Sequence, residues 1–314
     1  MYYIGIDIGG MSIKGGIVDE KGTIYLKRSV VTQPHAHYDV IVGDIVGLIR
    51  SLADEFGIAL GELGGIGIGI PGTIDPDKGT IVYSNNIDFE NVPIVEAIQK
   101  QIGLPVKIGN DANCAALGEV KFGSGKGMNN IVFVTLGTGV GTGIIREGKI
   151  LSGKGGAGGE GGHMSIRVDG ERCTCGRRGC WEAYASATAL IRQTKRAMER
   201  HPDSLMHRFA EEEGKVSGRT AFLAARAGDA AGLAVVNRYV KYVAEGLINL
   251  VNIFRPEALL IGGGVSNEGE YFIRKLQSRV TRFSYGGKRN PYVKVLKAEL
   301  MNDAGLLGAV ALCL

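Results

Sequence analysis

No apolar run in this 314-residue chain reaches the ~18 residues that a membrane-spanning helix needs, so no transmembrane segment is expected. The opening Met1-Tyr2-Tyr3-Ile4-Gly5-Ile6-Asp7 lacks the basic leader and apolar stretch of a secretory signal. Blocks of like charge are missing too. The 36 Lys and Arg stand against 32 Asp and Glu, a formal net charge of +4, which offers little attraction to nucleic acid. Cysteine is scarce. Of the five, Cys173, Cys175 and Cys180 fall together, and reduced thiols of this kind suit a cytoplasmic protein.

What is present is a 45% hydrophobic composition, enough for real cores, in a chain long enough for two domains of ordinary size. Glycine is abundant at 50 residues. Its placement at strand ends and turns is read as letting the backbone come close to ligands. The densest chemistry lies in Glu160-Gly161-Gly162-His163 followed by Cys173-Thr174-Cys175-Gly176-Arg177-Arg178-Gly179-Cys180-Trp181-Glu182. Three thiolates and an imidazole complete a tetrahedral shell around Zn²⁺ and leave no place for a catalytic water, so the metal is expected to be structural. The competing reading, buried cysteines beside a surface histidine, does not explain the glycines that alternate with the thiols. Glu160 and Glu182 bracket the loop, where two acids could orient a polyol.

Hydrophobic patterning predicts strands over 3–7, 12–18, 23–31, 65–70, 106–109, 130–136, 140–145, 149–151 and 258–261. It predicts helices over 39–56, 93–102, 112–122, 181–200, 230–254 and 303–313, with helix plus loop in 201–219. The stretch 73–79 reads as loop. Ile6-Asp7-Ile8-Gly9-Gly10 and Gly16-Ile17-Val18-Asp19 align with Val134-Thr135-Leu136-Gly137-Thr138 and Gly143-Ile144-Ile145-Arg146 across a one-residue gap. The chain therefore carries two β-hairpins with glycine-rich first turns, each opening a β-then-α half. This points to a duplicated α/β fold.

Such turns present backbone N–H groups that can cradle phosphate. The first comprises Gly9, Gly10, Met11 and Ser12, the second Gly137, Thr138 and Gly139, and Gly262-Gly263-Gly264 offers a third turn for a nucleoside. Asp7 could hold Mg²⁺ through water, and Lys14 could neutralise charge. Two text matches are set aside. Residues 122–127 resemble a P-loop but have Gly127 where Ser or Thr is required, and 67–72 fits a dinucleotide fingerprint that no helix follows. Asn110-Asp111 stands where a strand gives way to a helix. There Asp111 could accept a proton from an attacking hydroxyl, or merely cap the helix. Glu182 has an equally plain role as an acid in a first helical turn.

Asp7-Ile8-Gly9-Gly10, Gly137-Thr138-Gly139-Val140-Gly141, Glu160-x-Gly-His163 and the Cys-x-Cys-Gly-x-x-Gly-Cys run together resemble the ROK family (repressor, open reading frame, kinase) of the actin/hexokinase/Hsp70-like ATPases. The resemblance covers nearly the whole chain. It implies two actin-like, ribonuclease H-like α/β domains around a cleft, 1–118 plus 302–314 and 119–301, with a zinc-stapled loop. It implies ATP-dependent phosphorylation of a hexose at its 6-hydroxyl, glucose first, with Asp111 as base. The resemblance assigns Gly72, Asn86, Asn110, Asp111, Glu160, His163 and Glu182 to the sugar, and His163, Cys173, Cys175 and Cys180 to zinc. It also implies a homodimer or dimer of dimers. Two positions depart from the family: Met11 replaces a usual Thr, and Phe89 stands near a frequent Trp.

The other readings are a kinase for N-acetylmannosamine, N-acetylglucosamine, allose, fructose or a β-glucoside, and a sugar-responsive transcriptional repressor. A repressor of this family carries a helix-turn-helix ahead of the kinase-like fold. Here the first phosphate strand is expected already at Tyr3.

Overall fold

A computed structural model of the protein describes residues 1–84 and 87–314. Strand β1 (Tyr2–Ile8) pairs antiparallel with β2 (Ser12–Asp19), which sets Asp7 opposite Lys14, and β3 (Ile24–Val31) extends the meander. Helix α1 (Tyr38–Phe56) buries Ile41, Ile45, Ile49 and Leu52, a helical spacing that gives it one apolar face. Strand β4 (Leu63–Ile70) runs parallel to β1. Next come β5 (Thr73–Asp75), β6 (Thr80–Ser84) and β7 (Phe89–Val92), a small antiparallel sheet of their own. Part of it occupies the stretch read from sequence as loop: its strands are three to five residues long, too short to show alternation. Helix α2 (Ile94–Ile102), strand β8 (Val106–Asn110) and helix α3 (Asp111–Phe122) complete this half.

The pattern repeats with β9 (Ile131–Leu136), β10 (Val140–Arg146) and β11 (Lys149–Ile150). After the cysteine loop come α4 (Glu182–Ala185), α5 (Ala187–Met198), α6 (Met206–Glu212), α7 (Thr220–Arg226) and α8 (Ala230–Phe254). Strand β12 (Ala258–Gly262), helix α9 (Glu270–Phe283), strand β13 (Lys294–Lys297) and helix α10 (Ala304–Ala311) follow. The sheet orders are β3-β2-β1-β4-β8 and β11-β10-β9-β12-β13. Both are a meander whose first strand is joined by two later strands, so the repeat legible in sequence is a repeat of topology.

One expected helix is split. The run 181–200 breaks at Ser186 (φ −69°, ψ 161°), whose hydroxyl accepts from the Ala189 N–H at 3.1 Å and caps α5. Helices α7 and α9 had no counterpart in the sequence reading, although Phe272, Ile273, Leu276 and Val280 give α9 a legible apolar face.

The chain forms two compact units. Unit one is Met1–Ile131, Gly143–Gly159 and Glu299–Leu314; unit two is Val132–Thr142 and Glu160–Ala298. In unit one α1 and α2 cover the sheet with buried Ile and Val side chains, among them Ile4, Ile6, Ile8, Ile66, Ile68 and Ile98. Helix α10 lies against β1 and β4. A Cβ at Gly67 would sit 1.7 Å from the Ala309 carbonyl oxygen, and one at Gly5 2.4 Å from that of Leu306. These two mid-strand glycines therefore serve helix-on-sheet packing and not ligand approach, which corrects the general reading of glycine. In unit two the largest fully buried side chains are Trp181, Tyr239, Phe222 and Phe272. Trp181 donates from Nε1 to the Tyr242 carbonyl at 2.9 Å. Among the described residues no helix is long and apolar enough to cross a membrane.

Candidate functional site

Unit one brings Asp7 and Asp111 into one neighbourhood. Asp7 ends β1, half-buried, with the Lys14 ammonium 3.9 Å away. Burial lifts its carboxyl from 3.8 to about 6, Lys14 opposes the shift and the charge on Asp111 adds to it. Asp111 is the first residue of α3, where burial likewise raises its pKa against the bond from the Ala112 N–H. The cap itself is Asn110. Its Oδ1 accepts from Ala112 and Asn113 at 2.9 and 3.2 Å, and its Nδ2 donates to the Gly72 carbonyl at 3.1 Å. Capping is therefore shared: Asn110 holds Ala112 and Asn113, and Asp111 Oδ1 also accepts from Ala112 at 2.8 Å. Gly72 has to be glycine. Its φ is +118°, and a Cβ would meet the Tyr83 carbonyl oxygen at 2.3 Å. Asn86 lies outside the described residues. Phe89, 1% exposed, is a core residue.

The first glycine turn closes with Gly9 N–H donating to the Ser12 carbonyl at 3.0 Å. Thr32, a residue the sequence reading passed over, fastens it from β3's far end: its hydroxyl donates to the Gly9 carbonyl at 2.7 Å and its N–H to the Met11 carbonyl at 3.1 Å. Met11 itself is 87% exposed and brings no polar atom. Gly9, Gly137 and Gly139 do not take positive φ, so no left-handed backbone is what calls for glycine there. Their glycines leave room instead. Nothing lies within 4 Å of a Cβ built at Gly137.

In unit two the second turn is anchored from α5, where Ala187 N–H donates to the Gly137 carbonyl at 2.8 Å and the Thr188 hydroxyl to that of Thr138 at 2.9 Å. The third turn adjoins it. Gly263 has φ +78°, and a Cβ there would collide with Leu136 backbone at 2.5 Å, while Gly264 faces open space. Glu160-Gly161-Gly162-His163 lies flush on β10. The Thr142 hydroxyl accepts from Gly161 N–H at 2.9 Å, and a Cβ at Gly162 would stand 2.0 Å from the Val140 carbonyl oxygen. Glu160 precedes the single turn Gly161–His163, and its carbonyl accepts from His163 N–H.

His163, Cys173, Cys175 and Cys180 offer one ligand atom each, all within 4.8 Å of one another. Cys175 and Cys180 Sγ are 3.6 Å apart, as are Cys173 Sγ and His163 Nδ1. A tetrahedron with Zn–S near 2.3 Å and Zn–N near 2.0–2.1 Å sets its ligands roughly 3.6–3.8 Å apart, so the donors fit that ion. Burial pushes the Cys173 and Cys180 thiols up, and a cation is what lets such crowded thiols ionise together. Glu182 joins this loop to the second turn. Its Oε2 accepts from Val140 N–H at 3.0 Å, and its Oε1 lies 3.6 Å from Cys173 Sγ and 3.4 Å from the Thr174 hydroxyl. It also begins α4, so the plain first-turn role and the bridging one coexist.

With this geometry in hand, the comparisons with known proteins are consistent with one another. Residues 3–314 match the ROK family. The glucokinase of Streptomyces coelicolor is 37% identical over 98% of this chain and 96% of its own, and that of Thermotoga maritima is 36% identical over the same shares. The crystal structure of a ROK family glucokinase from Streptomyces griseus in complex with glucose and AMPPNP superposes with a TM-score of 0.83, at 36% identity and 98% coverage of both chains.

Proposed function

The chain belongs to the ROK family, and on that premise we propose that it is an ATP-dependent sugar kinase that phosphorylates glucose at the 6-hydroxyl. The observation that carries the mechanism is the pair Asn110-Asp111 at the start of α3. Asn110 accepts from Ala112 and Asn113 while Asp111 Oδ1 accepts from Ala112 at 2.8 Å, and Asp111 is assigned the role of base. Its raised pKa strengthens it as a proton acceptor at neutral pH. As the 6-oxygen bonds to the γ-phosphorus of ATP, Asp111 takes the hydroxyl proton and the bond to ADP breaks, giving the sugar phosphate, ADP and a proton.

Glu160, His163 and Glu182 are assigned to sugar hydroxyls. Nδ1 of His163 faces the thiols, which leaves Nε2 to donate to an oxygen. Asn110, beside its cap and its bond to Gly72, is likewise assigned to the sugar. Backbone N–H groups of the turns at 9–12, 137–139 and 262–264 are assigned to the nucleotide. His163, Cys173, Cys175 and Cys180 would hold Zn²⁺, whose contribution is to fix the loop. Asp7, half-buried with the Lys14 ammonium 3.9 Å away and the charge of Asp111 in the same neighbourhood, is suited to a hydrated Mg²⁺, which would neutralise phosphate charge. A homodimer or dimer of dimers is the expected assembly.

The deciding experiment is coupled ADP release over a panel of sugars. Turnover with glucose well above that with N-acetylmannosamine, N-acetylglucosamine, allose, fructose and β-glucosides supports the assignment. No sugar-dependent ADP release, together with tight and salt-sensitive binding to operator DNA, would replace it with the repressor reading.

A further inference from the structure

Unit two holds a concentration of positive charge that the kinase reading does not use. A cavity of 180 Å³ is lined by Arg167, Arg192, Arg196, Arg200 and Arg238, with Glu171 the one acid among its lining residues. Arg196 is paired with Glu171 at 2.7 Å. Arg192 donates to the Ala183 carbonyl, but its Nε is buried without a partner. No hydrogen bond or ion pair holds the side chain of Arg200 or Arg238 among the described residues. An adjoining cavity of 500 Å³ shares Arg167, Glu171 and Arg192 and adds Arg172, Arg178 and the acid Asp169.

Guanidinium groups do not deprotonate in proteins, so five of them around one carboxylate leave an excess of four positive charges in a concave space. Arg192 is half-buried and the other four are exposed at the rim. The space far exceeds the roughly 10–15 Å³ that a single water needs. Beside the guanidiniums lie the rings of Tyr184 and Tyr242, with centroids 4.8 Å apart, and the side chains of Ala234 and Val235. A phosphoryl group offers the negative charge and paired oxygens that forked guanidiniums read best.

We propose that this cavity is a binding site for a phosphoryl-bearing anion, distinct from the sugar and nucleotide sites. The site is built into the support of the metal loop. Glu171 N–H donates to the Tyr184 hydroxyl at 2.6 Å, the Glu171 carbonyl accepts from Gly179 N–H at 2.9 Å, and the backbones of Arg172 and Arg178 form an antiparallel bridge across the loop. An occupant would brace the segment that presents Cys173 and Cys180, so it acts on the enzyme through that loop.

The test is calorimetric titration of the full zinc-loaded chain with pyrophosphate, inorganic phosphate and glucose 6-phosphate. Glucose and a non-hydrolysable ATP analogue are kept saturating to block the substrate sites. One saturable site per chain is expected. Its affinity should fall as KCl rises and drop about tenfold or more in the double variant R200A/R238A, the loss of two charge-assisted contacts. Basal kinase turnover and thermal midpoint of that variant should stay at wild-type values. Should the double variant not fold, Arg200→Gln on its own carries the same test. Competition among the three anions supports the proposal whichever binds best. No saturable binding to the wild-type chain, or wild-type affinity in a folded variant, overturns it.

Discussion

The backbone N–H of Val140 donates to Glu182 Oε2 at 3.0 Å, so one carboxylate ties the metal-ligating loop to the second glycine-rich turn. A Cβ at Gly139 would stand 2.4 Å from the same oxygen. Gly139→Ala should therefore push Glu182 aside and damage sugar and nucleotide handling together. We expect kcat/KM for glucose to fall by about 10²-fold, corresponding to roughly 2.7 kcal/mol of transition-state stabilisation. An alanine variant with unchanged kinetics in steady-state assays would separate the turn from the loop.

Asp111→Asn keeps the shape of the side chain and removes its basicity. Turnover should drop by about 10²–10⁴-fold while glucose affinity, measured by calorimetry, stays within a few-fold. Equal losses in binding and turnover would show that Asp111 positions the sugar and does not accept its proton.

Asp7 gives a pH signature. Its folded-state pKa of about 6 lies above the ordinary 3.8, so between these values the folded chain binds more protons than the unfolded one. Stability from this group therefore declines as pH rises through that window and stays low above it. Asp7→Asn should raise the stability at pH 7, by about 3 kcal/mol at most, and change little at pH 4. It should also abolish most activity, a trade of function for stability. Urea denaturation at the two pH values reads the difference. A variant less stable than wild type at pH 7 contradicts the burial argument.

Metal removal should act on folding. One zinc per chain is expected by elemental analysis, and strong chelation should lower Tm by roughly 10 °C or more, given several kcal/mol of binding energy and about 2–4 °C per kcal/mol. Cys175→Ser should reproduce most of the effect. Full retention of Tm and activity in metal-free protein would make the cysteine cluster dispensable.

Much of this was legible in the sequence because local patterns carried it. The doubled hairpin, the spacing of Cys173, Cys175 and Cys180 and the strand-to-helix step at Asn110-Asp111 are short-range features. What escaped depends on residues far apart in the chain. Thr32 holds Gly9 across 23 positions, and Glu182 reaches Val140 across 42. Glu119, fully buried, accepts from Ser124 N–H at 2.9 Å and Leu300 N–H at 2.8 Å, which no local periodicity announces. The arginine cavity draws on Arg167, on α5 and on α8, and each contributes charges that read singly as surface residues. Ser186 did give a local signal, a helix-capping serine, but the apolar run through it concealed the break.

Helix α10 completes the packing around the strand that carries Asp7. A Cβ at Gly305 would meet Asp7 Oδ1 at 2.7 Å, and one at Gly308 would meet the Cys114 carbonyl oxygen of α3 at 1.7 Å. Domains commonly fold in order as they leave the ribosome. Here the first unit cannot do so, because its last wall is translated nearly two hundred residues after α3. During synthesis the apolar face of β1 and β4 stays open until α10 has been made, and a nascent chain halted short of α10 would expose it to chaperones and proteases.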